Sequence, residues 1–194
     1  MKTEIVAVNS GGEYLQTALD KIERLAKDKK LSQKEALKLR LLAEEMFTMV
    51  RDIAGEFDAT FWAEEFGNDY KIVLMADVVE VTENSKNELM KLSTRGEAPR
   101  TGIMSMIGSI FELLMKGFEA YNLNSKVPSL QYSELGIEKD AKEANKWALS
   151  TYRANVTDDD AIDELEKSIV ANIADDIVVS VVDQSVKVEI SKAF

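Results

Sequence analysis

Polar and apolar positions along the chain change period several times, and each change predicts an element. Residues 4–8 alternate, the two-residue period of a short strand. Ser10 followed by Glu13 has the S-x-x-E form of a capping box. It predicts a helix to about Lys29 that carries Leu15, Leu19, Ile22 and Leu25 on one face. Ser32 and Glu35 repeat the signal and open a longer helix to about Ala54, closed by Gly55. Its apolar stripe is Leu39, Leu42, Met46, Met49, Val50 and Ile53, the pattern of a helix lying on a core. Residues 59–66 and 70–81, separated by Gly67-Asn68-Asp69, predict a hairpin.

The second half reads as mostly helical before it returns to strands. Ser85 with Glu88 predicts a short helix to about Leu92, and 93–100 is loop. Residues 101–121 form a very apolar helix, with Ile103, Met104, Met106, Ile107, Ile110, Phe111, Leu113, Leu114 and Met115. A loop over 122–136 leads to a helix over 138–154 carrying Trp147, Leu149 and Tyr152. Thr157 in an acidic turn is placed to cap a last helix over 162–176. A hairpin closes the chain, with strands at 177–182 and 186–190 about a turn at Asp183-Gln184-Ser185. Strands clustered beside helices predict an α+β fold, a two-layer α/β sandwich, within one domain spanning 1–194.

Composition narrows the chemistry. The formal charge of −11 disfavours nucleic-acid backbones and anionic membranes, which draw on clustered Lys and Arg. With no Cys and no His, thiol nucleophiles, imidazole bases, disulfides and Cys/His zinc sites are excluded. The longest weakly charged stretch, 101–114, is shorter than the roughly 20 apolar residues of a bilayer span. With no N-terminal signal pattern, a cytoplasmic location is expected. The acidic run Asp158-Asp159-Asp160-Ala161-Ile162-Asp163 lacks the alternating ligands, glycine and terminal Glu of an EF-hand loop. Glu64 and Glu65, adjacent in a strand, face opposite sides and do not form a carboxylate pair.

The closing order of helix, strand and strand resembles the C-terminal end of histidine-kinase-like (GHKL) ATPase domains, closest to the small anti-sigma-factor serine kinases. The likeness covers 4–77 and 160–194, with a helical insertion at about 83–157 in the position of the family's ATP lid. In that family a long helix carries a Glu that acts on water or a hydroxyl, and four residues later an Asn that ligates Mg²⁺. In Leu42-Ala43-Glu44-Glu45-Met46-Phe47-Thr48-Met49-Val50 the resemblance matches Glu45 to the Glu and Met49 to the Asn. A match to Glu44 instead brings Thr48 to the ligand position. A thioether is a poor ligand for Mg²⁺, which takes hard oxygen donors. A second motif pairs an adenine-binding Asp with two glycines. Here Asp77 is retained, while Val79 and Val81 stand for the glycines and extend the strand. In the third, phosphate-cradling motif, Glu164 and Glu166 replace glycines, and their charge repels a triphosphate. Arg100 and Gly102, at the start of the apolar helix, offer a fallback phosphate contact.

Phosphoryl transfer needs metal, cradle and base together, so no cofactor is expected and Mg-ATP is disfavoured. The resemblance then implies a non-catalytic regulatory or protein-binding module of the anti-sigma or partner-switching kind. The helix of residues 103–115, apolar on most of its circumference, reads first as core packing. Its Met content also suits the groove through which a protein partner would be met, with a homodimer left open. Two alternatives remain open. One is a divergent ATP-binding protein or serine kinase that uses Glu45 as base and Asp77 for adenine. The other is a binder of a different small ligand in a remodelled pocket.

Overall fold

A computed structural model of the chain describes residues 1–54, 56–77, 137–138, 146–155, 168–182 and 185–194. Its elements are β1 (Val6–Asn9), α1 (Leu15–Asp28), α2 (Gln33–Ala54), β2 (Asp58–Phe66), β3 (Asp69–Asp77), β4 (Ile137–Glu138), β5 (Lys146–Ala148), α3 (Leu149–Asn155), α4 (Ile169–Ile173), β6 (Asp176–Val182) and β7 (Ser185–Ala193). The described strands form one sheet in the order β1-β2-β3-β7-β6-β5-β4. Every neighbouring pair in it is antiparallel. The fold is therefore α+β, with the described helices packed on the sheet, and the two-layer reading holds at that level.

Alternation builds the core. On β2, Ala59, Phe61 and Ala63 are buried; on β3, Tyr70, Ile72, Leu74 and Ala76; on β7, Val186, Val188 and Ile190. These side chains point to one face and join the stripes of α1 (Leu19, Ile22, Leu25) and α2 (Leu39, Leu42, Met46, Met49) in a single cluster. Each fully buried Leu, Ile or Met contributes about 1.5–3 kcal/mol by leaving water. The β2–β3 hairpin closes on two residues, with Gly67 at φ 70°. Glycine at the first central position is the type II′ arrangement, whose twist matches that of the strands.

The α1–α2 corner shows why these two helices stop and start where they do. The Lys30 N–H donates to the Lys27 carbonyl at 3.0 Å and the Leu31 N–H to the Ala26 carbonyl at 3.0 Å. This is a Schellman cap, with Lys30 rather than glycine in the left-handed position at φ 56°. The predicted box at Ser32 then forms reciprocally: the Ser32 N–H donates to Glu35 Oε2 at 2.7 Å, and the Glu35 N–H to Ser32 Oγ at 3.3 Å.

Three expectations are corrected. The box expected at Ser10 does not form: Asn9 Oδ1 accepts the Glu13 N–H at 3.2 Å, and α1 begins only at Leu15. Gly12 at φ 83° and Tyr14 at φ 59° put a turn between strand and helix, so Glu13 precedes the helix instead of sitting in its first turn. The helix expected over 138–154 is two strands followed by a helix: Ile137 pairs with Trp147, and Trp147 with Val179. Ladder hydrogen bonds to the flank of β6 outweigh the helical spacing of Trp147, Leu149 and Tyr152. The region expected as an insertion thus adds two strands to the same sheet. Finally, the helix expected over 162–176 ends at Ile173; Ala174 is extended at φ −69° and ψ 143°, and β6 begins at Asp176. The parts of that helix before Ser168, the helix of 101–121 and the short helix after Ser85 lie outside the described residues.

Candidate functional site

Helix α2 carries the candidate base and metal positions. Met49 is completely buried, on the same stripe as Leu42 and Met46. Glu45 and Thr48 flank that stripe and are half-buried. Thr48 donates its hydroxyl back to the Glu44 carbonyl at 3.3 Å, a bond closed within the helix. Glu44 accepts from Arg40 Nε at 2.9 Å, and Arg40 also pairs with Glu23 of α1. The Glu23 carboxylate first, with Glu44 beside it, holds the guanidinium still more firmly charged than usual. Glu45 makes no hydrogen bond or ion pair among the described residues.

Asp77 ends β3 and is exposed. It lies in register between Asp58 of β2 and Ser185 of β7, and its Oδ1 accepts the Ser185 hydroxyl at 2.7 Å. Strand alternation groups Asp77 with Lys71, Val73 and Met75, away from the face of Ile72, Leu74 and Ala76 that meets the helices. Glu45 belongs to the helix layer and Asp77 to the opposite face of the sheet, so the described framework does not gather them around one pocket. Ser185, read from sequence as a turn residue, is the partner that reasoning along the chain missed. The signal for it was the pairing of the last strand with the strand that ends at Asp77.

Val79, Val81, Arg100, Gly102, Glu164, Glu166 and the apolar segment from Ile103 to Met115 lie outside the described residues. Within the described ones, the position that the Glu45 match assigns to the Mg²⁺ ligand does not fit that ion. The side chain at the expected ligand position is a thioether inside the core, whereas Mg²⁺ takes oxygen donors. Among the described residues no group of three or more Asp or Glu is placed to hold a metal ion.

The other end of the sheet, roughly 24 Å from Asp77 at about 3.4 Å per residue, holds the one buried carboxylate among the described residues. Glu65 is 7% exposed. Lys29 Nζ stands 2.5 Å from it and the amino terminus of Met1 3.3 Å. The Lys29 ammonium holds the Glu65 carboxyl below the usual glutamate range, against the pull of desolvation. Burial raises the neighbouring Tyr70 phenol, and the Glu65 charge adds to that. Glu64, next in sequence, lies on the other face, where it accepts from Trp62 Nε1 at 2.8 Å and meets Lys2, whose ammonium sits 4.3 Å above the Trp62 ring. The two glutamates serve separate structural networks, as their adjacency in a strand requires.

Comparison of the chain with family models, with curated proteins and with solved structures gives no match. Among the described residues no helix is long and apolar enough to cross a membrane.

Proposed function

We propose that the protein is a non-catalytic regulatory module that binds another protein, built on a degenerate scaffold of the histidine-kinase-like ATPase type. The observation that carries this reading is Met49. The position where the resemblance calls for a magnesium-ligating amide is a fully buried thioether, part of the packing of α2 on the sheet. The opposed faces of Glu45 and Asp77 support it further, because a base and an adenine contact serve one nucleotide only when they line one cleft. The partner-facing element in this reading is the apolar, Met-rich segment of residues 103–115, whose adaptable side chains suit a protein groove. The partner belongs to the anti-sigma or partner-switching class that the resemblance implies.

Calorimetric titration with ATP, ADP and GTP, each with and without Mg²⁺, tests the reading. The expected result is no heat of binding at millimolar nucleotide. Micromolar, Mg²⁺-dependent binding overturns it and restores the divergent kinase.

A further inference from the structure

We draw no further inference here: the strongest candidate, the sheet face around Trp62, Val73 and Met75 that is turned away from the helices, carries nothing because the structure does not show what covers it.

Discussion

Met49 shows how far one side chain decides what a helix does. Leu42 and Met46 stand beside it on the same buried stripe, so an amide at 49 would lose its water without gaining a partner. Met49→Asn is therefore expected to lower stability by about 3–5 kcal/mol through lost packing and a buried unpaired amide. Met49→Leu, close in volume, is expected to cost less than about 1.5 kcal/mol. Urea denaturation of the two variants measures the difference. An asparagine variant as stable as the parent that also bound Mg-ATP would mean that position 49 faces a metal site. Trp147 gives the complementary case. It is fully buried, yet among the described residues its Nε1–H has no acceptor, which costs about 1–3 kcal/mol. Trp147→Phe removes the orphaned donor while keeping most of the ring, so its net cost is expected below about 1 kcal/mol, against about 3–5 for Trp147→Ala. A loss as large for Phe as for Ala would show that the N–H is in fact bonded. Met49's burial was legible from its place on the stripe of Leu39, Leu42 and Met46. The burial of Trp147 was not assigned to the right layer, because its neighbours Leu149 and Tyr152 suit a helix equally well.

Elements were legible where local hydrogen bonds settle them and illegible where distant strands do. Ser32 with Glu35 and the Gly67 hairpin are complete within a few residues of sequence; the box forms as read, and the hairpin forms with Asp69 in the strand instead of the turn. The same S-x-x-E signal at Ser10 misleads because Gly11 and Gly12 admit a turn that sets the helix back. Alanine substitution separates the two sites. Ser32→Ala is expected to cost about 1 kcal/mol, as a lost N-cap does. Ser10→Ala is expected to change stability by no more than about 0.5 kcal/mol, the ordinary range for a surface change. Equal losses at the two serines would restore the box at Ser10. The Schellman cap makes a prediction of opposite sign. Lys30 bears the left-handed conformation that glycine adopts freely, so Lys30→Gly is expected to raise stability by up to about 1 kcal/mol. Thermal unfolding reads this as a higher midpoint, and a lower one would refute it. Strand β5 has no such local signature. Its three residues are strand because β6 offers them a ladder, and nothing in residues 146–148 announces a partner thirty or more positions away.

For the whole molecule, an α+β sandwich followed from the order of periodicities, but the strand order did not. In that order β7 lies between β3 and β6, which joins the two ends of the chain in one core. It also aligns Asp77 with Ser185 and fixes which face each residue takes, so the candidate site was legible as residue types and not as a constellation. The same sheet carries a carboxylate from which loss of stability in acid is expected. Glu65 on β2 ties α1 to the sheet through Lys29, and its carboxyl is held below the ordinary glutamate value chiefly by that lysine. A group whose folded pKa is depressed adds stability that is fully present above its unfolded value, near 4.3, and is lost as pH falls through the folded value. Glu35, lowered by its bonds with Ser32, acts in the same direction. So does Asp175, where desolvation is outweighed by hydrogen bonds from Lys192 and the Ala193 N–H. Stability is therefore expected to be flat between about pH 6 and 8 and to fall steadily below about pH 4.5. Glu65→Gln keeps the shape of the side chain and removes its titration. At pH 7 it is expected to be less stable than the parent, and the gap should close as the pH is lowered through the glutamate range. Urea midpoints for both proteins from pH 3 to 8 decide the matter. A gap that stayed constant with pH would show that Glu65 acts through packing and neutral hydrogen bonds, and that the Lys29 charge contributes nothing across this corner of the sheet.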